Sequence, residues 1–373
     1  MGKEASTSYF AGGNTAQGFI SLFRYIPGSE TKRLLIIKGG PGTGKSTLLK
    51  RLQAKALAAG LKTELFYCSS DPASLDGLSV PALGFAAVDG TAPHTMDPVL
   101  PGAYDEIVDF GQCWRKEKLQ SKRHVIAELA GRKSLCFSQA YQYLKEGAVV
   151  LDKLRWLTAR AMDYRAANRM VRRLLGELAD ALPQKEEEPK ERQLFAGAIT
   201  PKGFLNFYPS IFKGLERFYY LTGEPGTGKS FLLGRIRQTV KDAGYQLYTF
   251  RCSFDPQRVD AVVIPAIKTA FVKMTYPHTF SLDPLQLVRE QSTIALNRYI
   301  NTALFKKYTA ERTENTERFW YLLGKAVEFL RHAKQAHEKL EEIYREAMDY
   351  RCLEKLQGQL SEELLADNHL PGQ

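Results

Sequence analysis

The sequence predicts an α/β protein built from two tandem copies of one module. Each copy is expected to hold a parallel sheet with flanking helices, followed by a long helical extension. Three observations predict this. The chain has 373 residues, which suggests roughly two domains. Its second half repeats the first half in register. Within each half, short apolar segments alternate with helical ones, as in parallel sheets covered by helices.

Composition and charge exclude several classes of protein. Apolar residues make up 44% and charged residues 25% of the chain, as in ordinary globular domains. There is no run of 18 apolar residues of the kind that crosses a membrane. The first residues lack the apolar core of a signal peptide, so we expect a cytoplasmic protein. The chain has five cysteines, none in C-x-x-C spacing: Cys68, Cys113, Cys136, Cys252 and Cys352. We therefore expect reduced thiols rather than a disulfide framework or a zinc cluster.

The internal repeat extends along most of the chain. GGPGTGKST contains Lys45 and GEPGTGKSF contains Lys229, an offset of 229 − 45 = 184. The same register matches Gly60 with Gly244, Cys68 with Cys252, Asp71 with Asp255, Asp76 with Asp260, and His94 with His278. AMDYR recurs at 161–165 and 347–351. We therefore predict a first module at 1–180 and a second at 194–373. Residues 181–193 are expected to be an exposed linker, because they carry two prolines and a dense charge run.

The elements are expected in the same order in both modules. An apolar strand (33–38; 217–222) leads into a glycine-rich loop and a helix that ends at Gly60 or Gly244. A second strand (63–68; 246–252) and a third apolar segment (83–88; 267–272) follow. After Pro98 and Pro284, the periodicity predicts helix only. A five-stranded sheet needs two further strands, and the segments around 8–11 and 194–196 are the candidates for one of them.

Both glycine-rich loops fit the pattern G-x-x-x-x-G-K-[ST]. Their glycines allow backbone N–H groups to converge on phosphate oxygens, and the following helix adds its positive N-terminal end. Lys45 and Lys229 are expected to reach the β- and γ-phosphates, and the hydroxyls of Ser46 and Ser230 to hold Mg²⁺. The predicted nucleotide-binding residues are Gly39, Gly40, Pro41, Gly42, Thr43, Gly44, Lys45, Ser46 and Thr47 in the first loop, and Gly223, Glu224, Pro225, Gly226, Thr227, Gly228, Lys229, Ser230 and Phe231 in the second.

On these loops the chain resembles the P-loop NTPases, and its whole length is similar to an uncharacterised bacterial family of duplicated P-loop ATPases. The amino-acid sequence of the loops is similar to that of AAA-type ATPases, while T-x-G-K-S also occurs in kinases of small molecules. The resemblance implies tandem P-loop NTPase modules with ATP and Mg²⁺ as cofactors. It does not identify the reaction, because the superfamily includes motors, switches, kinases and transporters.

The two halves differ at the position where such proteins place a magnesium-binding aspartate. Asp89 follows the apolar segment 85–88 and fits that role, although an Asp-Gly turn is the alternative. The second half has Lys273 there, and an ammonium cannot ligate Mg²⁺. We therefore expect the first module to be catalytic, through Lys45 and Asp89, and the second to bind or regulate. No glutamate follows Asp89, which predicts slow turnover.

Two further pairs recur in both halves. Asp71 and Asp255 are alternative magnesium ligands, or bases that position water, or capping residues in a turn before proline. His94 and His278 either touch a γ-phosphate or an acceptor, or are hydrogen-bonded structural histidines. The sequence leaves both choices open.

Positive charge is concentrated in the first helical extension. The net charge is 52 − 41 = +11, and residues 112–175 alone hold fifteen Lys+Arg against five Asp+Glu. The corresponding residues 284–351 hold twelve against ten. Arginines 165, 169, 172 and 173 fall on one helix face. This face either contacts a nucleic-acid backbone or an acidic partner, or is an ordinary solvated face.

Three functions fit these observations. The first is a slow Mg²⁺-dependent ATPase or nucleotide switch. The second is a small-molecule (nucleotide-type) kinase whose helical region closes as a lid over the acceptor. The third is a nucleic-acid-associated ATPase. Phosphate release without additions favours the first, release that requires a small molecule favours the second, and stimulation by DNA or RNA favours the third.

Overall fold

Two six-stranded sheets, one from each half of the chain, form the centre of the molecule. The computed structural model describes residues 6–282 and 287–366. The strands of the first half are β1 (Ser6–Phe10), β2 (Gly12–Thr15), β3 (Gly18–Ser21), β4 (Arg33–Lys38), β5 (Thr63–Tyr67), β6 (Leu75–Val80), β7 (Phe85–Asp89) and β8 (Asp105–Asp109). Those of the second half are β9 (Glu191–Leu194), β10 (Gly197–Thr200), β11 (Gly203–Asn206), β12 (Arg217–Thr222), β13 (Leu247–Arg251), β14 (Val259–Ile264), β15 (Thr269–Lys273) and β16 (Glu290–Ala295).

Helices follow the strands in both halves, and the longest come after the sheets are complete. The α-helices are α1 (Lys45–Ala58), α2 (Lys116–Ser121), α3 (Arg123–Ala159), α4 (Tyr164–Ala181), α5 (Tyr208–Ile211), α6 (Lys229–Asp242), α7 (Thr302–Lys306), α8 (Thr309–Glu346) and α9 (Tyr350–Ala366). Within the ranges that the structure describes, no helix is both long enough and apolar enough to cross a membrane.

The two large sheets share one topology and are mixed. Their strand orders are β1-β5-β6-β7-β4-β8 and β9-β13-β14-β15-β12-β16. In each sheet one strand, β6 or β14, runs antiparallel to both of its neighbours, and the other described pairings are parallel. The expectation of a parallel sheet therefore holds only for most of each sheet. The connections into and out of β6, residues 68–74 and 81–84, are too short for the crossover that parallel neighbours require.

Three of the expected boundaries are wrong. Strands β8 and β16 lie where the sequence predicts only helix after Pro98 and Pro284; Pro284 itself lies outside the described residues. β8 is a five-residue edge strand with two buried side chains, so its periodicity is weak. Strand β1 lies in the segment proposed as an extra strand, as does the end of β9. However, β9 begins at Glu191, so the expected linker of 181–193 ends three residues early. Both charged residues of β9 are ion-paired, Glu191 with Arg237 and Arg192 with Glu64.

The helical extensions cross from one half to the other. Helices α3 and α8 pack antiparallel along their lengths, as shown by the Lys153–Glu311 ion pair near one end and the stacked rings of Tyr143 and Phe329. Helix α4 then packs on α6 of the second half, and α9 packs on α1 of the first. The sequence predicts modules of 1–180 and 194–373, each with its own extension. In space, each extension covers the opposite half.

Further contacts join the halves into one body. The backbones of Phe10 and Phe195 exchange two hydrogen bonds of 3.0 Å, and one apolar cluster contains side chains of both sheets. The Arg192 guanidinium donates to both carboxylate oxygens of Glu64 at 2.8 Å. A disulfide links Cys113 to Cys352 in α9. The expectation that all five cysteines are reduced thiols is therefore wrong for this pair. The crossing of α9 brings together two cysteines that are 239 positions apart.

Candidate functional site

Loop 1 (residues 39–46) connects strand β4 to helix α1. The four central side chains of β4 are buried, as expected for a strand covered on both faces. Gly42 and Gly44 have φ angles of 65° and 86°, a left-handed conformation that favours glycine. Helix α1 begins at Lys45. The Lys45 Nζ donates hydrogen bonds to the carbonyl oxygens of Gly39 and Gly40 at 2.9 and 2.7 Å. The ammonium thus lies over its own loop.

Asp89 lies next to this ammonium because its strand neighbours β4. The parallel register of β4 and β7 pairs Ile37 with Asp89. The Asp89 Oδ2 is 3.6 Å from Lys45 Nζ. The Thr91 amide donates to Asp89 Oδ1 at 2.9 Å, and the Thr91 hydroxyl donates to the Gly39 carbonyl at 3.0 Å. Ser46 Oγ accepts a hydrogen bond from the Leu75 amide at 3.0 Å. Lys45, Ser46 and Asp89 are therefore brought together at one end of the sheet.

Asp76 is a member of this cluster that the sequence analysis did not assign. The ligand atoms of Asp76, Asp89 and His94 all lie within 4.8 Å of one another. Burial raises the pKa of Asp76 to about 6; His94 opposes this shift and Asp89 adds to it. His94 stacks on Phe23 with ring centroids 4.2 Å apart, and its Nε2 is 3.8 Å from Asp76. The recurrence of Asp76 as Asp260 in the second half was the available signal.

Loop 2 (residues 223–230) connects β12 to α6 with a similar backbone. Gly226 and Gly228 have φ angles of 94° and 95°. The Lys229 Nζ donates to the carbonyls of Gly223 and Glu224, the latter at 2.9 Å. Burial lowers the pKa of Lys229 to about 7, and the nearby charge of Lys273 contributes to the shift. Both loops therefore start a helix and fold a lysine back over themselves.

Lys273 occupies the place of Asp89 in the second half. The register of β12 and β15 pairs Leu221 with Lys273, just as Ile37 pairs with Asp89. The Lys273 Nζ is buried and donates to Asp260 Oδ1 at 2.7 Å. His278 Nδ1 lies 3.4 Å from Asp260 Oδ2.

The charges of Lys273, Asp260 and His278 determine whether a divalent metal fits beside loop 2. Burial by itself raises the pKa of Asp260, but His278 and Lys273 outweigh it and lower the pKa. Asp260 is thus a carboxylate whose two oxygens face a lysine and a histidine. Burial raises the pKa of the neighbouring Cys252 thiol to about 12, so this thiol is protonated at neutral pH. Both Asp260 oxygens are thus already paired and the Cys252 thiol keeps its proton, so this set of side chains does not favour a divalent metal.

Asp71 and Asp255 lie in the turns before proline that were weighed against a magnesium role: their carbonyl oxygens accept from the Ser74 amide at 2.8 Å and the Arg258 amide at 2.9 Å. Asp71 accepts a hydrogen bond from Ser74 at 2.6 Å and pairs with Lys334 of α8 at 3.2 Å. Asp255 pairs with Arg155 of α3 at 3.2 Å. In each case the partner belongs to the helix that crosses from the opposite half. The two aspartates therefore anchor the crossed helices.

Each loop is covered by the crossed helix of the other half. A Cβ atom added to Gly42 would lie 2.8 Å from the carbonyl oxygen of Glu341, and one added to Gly226 would lie 2.3 Å from that of Arg155. Arg155 and Glu341 are equivalent, because 341 − 155 = 186 is also the offset of the repeated AMDYR, 347 − 161. The residue of the crossed helix that lies against the loop is thus acidic at loop 1 (Glu341) and basic at loop 2 (Arg155). Nothing in the repeat pattern predicted this exchange.

A cavity of about 790 Å³ borders loop 2, a size typical of small-molecule sites. The charged side chains that line it are mostly basic: Arg155, Lys229, Arg258 and Lys273, with Glu224 as the single carboxylate. Aromatic side chains, called here the aromatic wall, also line it, among them Trp156, Phe231, Tyr276, Phe319 and Trp320. Phe231, the last residue of the predicted second site, is 57% exposed at the cavity, whereas its counterpart Thr47 faces solvent.

The basic face predicted in the first extension lies on α4. All four of its arginines are exposed: Arg165, Arg169, Arg172 and Arg173. The opposite face of α4 packs against α6 through side chains such as Val171 and Leu178. The arginines are therefore available to solvent or to a partner, and they take no part in either loop.

No protein-family model matches this chain, and neither a curated protein nor a solved structure matches it.

Proposed function

We propose that this chain binds nucleoside triphosphates at two P-loop NTPase-type sites. Loop 1 hydrolyses ATP slowly with Mg²⁺, and loop 2 binds nucleotide in a regulatory role. One observation carries the proposal: the Lys45 ammonium and the Asp89 carboxylate, 3.6 Å apart, converge at the start of α1, where Ser46 also lies. A phosphate-binding loop, a lysine and a strand-end aspartate are the parts that phosphoryl transfer needs.

The side chains at loop 1 fit a magnesium ion. Ser46 and Asp89 offer hydroxyl and carboxylate oxygens, the ligands that Mg²⁺ prefers. The Asp76 carboxyl group lies in the same cluster. When bound, Mg²⁺ would neutralise charge on the phosphates. The Thr91 amide holds Asp89 in position, at 2.9 Å from Oδ1.

The chain's own groups supply the remaining stabilisation. Lys45 and the loop amides stabilise the negative charge that builds on the phosphates, because they are fixed before reaction. Asp89 is followed by Gly90, so the next position provides no carboxylate to orient water. Slow turnover follows from this, and slow turnover suits a switch better than a motor.

The crossed helices give such a switch its output. Helix α8 lies against loop 1 through Glu341, and α3 lies against loop 2 through Arg155. The two helices also pack against each other along their length. A ligand that moves α8 at loop 1 therefore acts on the helix that covers loop 2.

Phosphate release from ATP by the full chain with Mg²⁺ tests this function. Release without additions supports a hydrolase. Release that requires a small molecule from a metabolite pool would overturn hydrolysis in favour of a kinase. Stimulation by DNA or RNA would instead assign a partner to the exposed arginines of α4. In that case, replacing Arg165, Arg169, Arg172 and Arg173 with alanine should remove the stimulation and leave the basal rate unchanged.

A further inference from the structure

We propose that loop 2 binds a nucleoside triphosphate without a divalent cation. The Lys273 ammonium contacts the phosphates directly, and the base lies against the aromatic wall of Tyr276 and Trp320. The inference rests on the proposed nucleotide binding at loop 2 and defines the form of the ligand. At loop 1, the position equivalent to Lys273 is that of Asp89, whose carboxylate attracts a metal.

The sheet register places Lys273 where it can replace a metal ion. It stands one strand away from loop 2, at the position that Asp89 holds beside loop 1. Its side chain is only 8% exposed, and what it exposes lines the same cavity as Lys229. Two ammonium groups thus approach the end of β12 from the loop and from the neighbouring strand.

The surroundings of Lys273 exclude a metal and favour an anion. Asp260, the nearest carboxylate, is occupied by Lys273 at 2.7 Å and by His278 at 3.4 Å. Arg155 and Arg258 add positive charge to the cavity. Both contact Asp255, so part of their charge is already compensated. The lining of the cavity has four basic side chains against one carboxylate, that of Glu224, and a metal-free polyphosphate carries the complementary charge.

The aromatic wall identifies the rest of the ligand. The ring of Trp320 lies 4.9 Å from that of Tyr276 and 5.0 Å from that of Phe319, measured between centroids. Tyr276 is 72% exposed, whereas Phe319 and Trp320 are partly buried. A nucleobase offers the flat apolar face that such side chains stack on. The cavity therefore offers aromatic rings for a base and basic side chains for phosphates.

The test uses the Lys45→Ala variant, in which loop 1 is disabled and loop 2 is intact. ATP binding is measured by isothermal titration calorimetry in excess Mg²⁺ and in EDTA. We expect dissociation constants that agree within about threefold, since loop 2 needs no metal. A loss of affinity of about tenfold or more in EDTA would overturn the inference.

The same titration of the unaltered chain separates this inference from the proposed function. If the unaltered chain binds and hydrolyses Mg²⁺-ATP but Lys45→Ala binds none in EDTA, the inference fails and the function stands. If the unaltered chain binds no ATP in Mg²⁺ or in EDTA, the proposed function fails and the inference fails with it.

Variants at Lys273 test which group replaces the metal. In the Lys45→Ala background, Lys273→Met should weaken ATP binding in EDTA by about tenfold or more, because a charge-assisted contact is lost. This change leaves Asp260 buried without its main partner. The double variant Lys273→Met with Asp260→Asn keeps the core neutral and should show the same loss. Arg235→Met removes one exposed positive charge on α6 and serves as the control. Affinity equal to that of the control would overturn the role of Lys273.

Inorganic tripolyphosphate tests the aromatic wall. Stacking on an aromatic side chain is worth about 1–3 kcal/mol per base. Trp320→Ala should therefore weaken ATP binding by about fivefold or more and leave tripolyphosphate binding unchanged. Equal weakening of both ligands, or of neither, would overturn the assignment of the base.

Discussion

Lys45 lies 3.6 Å from Asp89 at loop 1, whereas at loop 2 the position of Asp89 belongs to Lys273, which is bonded to Asp260 at 2.7 Å. Two loops with the same backbone therefore face opposite charges on the neighbouring strand. A carboxylate beside a phosphate loop needs a metal between itself and the phosphates, since like charges repel. An ammonium needs none. This reversal of charge is the physical basis for assigning different functions to the two loops.

Replacing Asp89 with asparagine should lower the rate of ATP hydrolysis by about 100-fold, because a bound metal contributes several kcal/mol of charge stabilisation. The change preserves the shape of the side chain and its hydrogen bond from Thr91. Steady-state phosphate release at several Mg²⁺ concentrations measures it. The matched control is Asp71→Asn, which should keep the rate within about threefold, since Asp71 pairs with Lys334 and lies outside the cluster. If the two variants exchanged these results, the metal role would move to Asp71.

The contact between loop 1 and α8 can be tested with two glycines of similar backbone. Gly42 and Gly60 have φ angles of 65° and 75°, so alanine is strained at both. A Cβ at Gly42 would also lie 2.8 Å from the Glu341 carbonyl oxygen, whereas one at Gly60 would meet nothing within 4 Å. Gly42→Ala should therefore increase amide hydrogen exchange in residues 337–346, and Gly60→Ala should not. Unchanged exchange in Gly42→Ala would mean that α8 does not rest on the loop.

The buried carboxyl group of Asp76 should make stability depend on pH. Its pKa rises from 3.8 to about 6 on folding, so the folded state prefers the protonated form. Stability is then fully present below pH 3.8 and is lost as the pH rises through about 6, by about 3 kcal/mol at most. In EDTA, Asp76→Asn should raise the melting temperature at pH 8 and change it little at pH 4.

Asp71→Asn is the control for Asp76→Asn, because the stability that Asp71 contributes should depend on pH in the opposite direction. Burial raises the pKa of Asp71, but Ser74 and Lys334 outweigh it and the pKa is lowered. The ionised Asp71 carboxylate therefore stabilises the fold above its unfolded pKa, and this stability is lost as the pH falls. Asp71→Asn should therefore lower the melting temperature at pH 8. Equal changes in the melting temperature of Asp76→Asn at pH 4 and at pH 8 would contradict the prediction that burying the ionised Asp76 carboxylate costs stability.

The repeated register predicted the parts of the site that lie close to the loops in sequence. Both lysines, both glycine-rich loops and the contrast between Asp89 and Lys273 follow from one alignment of the chain with itself. They could be predicted because parallel strands bring their carboxyl ends to one edge of a sheet. The edge strand β8 was missed, since its five residues bury only Asp105 and Val108. Strand β6 was missed because an antiparallel strand between short turns does not follow the alternation of strand and helix.

The crossing of the helices could not be predicted from either half alone. Arg155 and Glu341 reach loops that are distant in sequence, and their contacts involve backbone atoms that any residue provides. The Cys113–Cys352 bond depends on the same crossing. A helix with one apolar face does not encode which of two similar sheets it covers. That choice depends on tertiary packing between the halves.

The most direct test of the central claim compares phosphate release by Lys45→Ala and Lys229→Ala with that of the unaltered chain, in Mg²⁺ and in EDTA. We predict that Lys45→Ala lowers the Mg²⁺-dependent rate by about 100-fold, whereas Lys229→Ala stays within about threefold. EDTA should abolish release by the unaltered chain. Equal losses in the two variants, or release that persists in EDTA, would contradict the assignment of hydrolysis to loop 1.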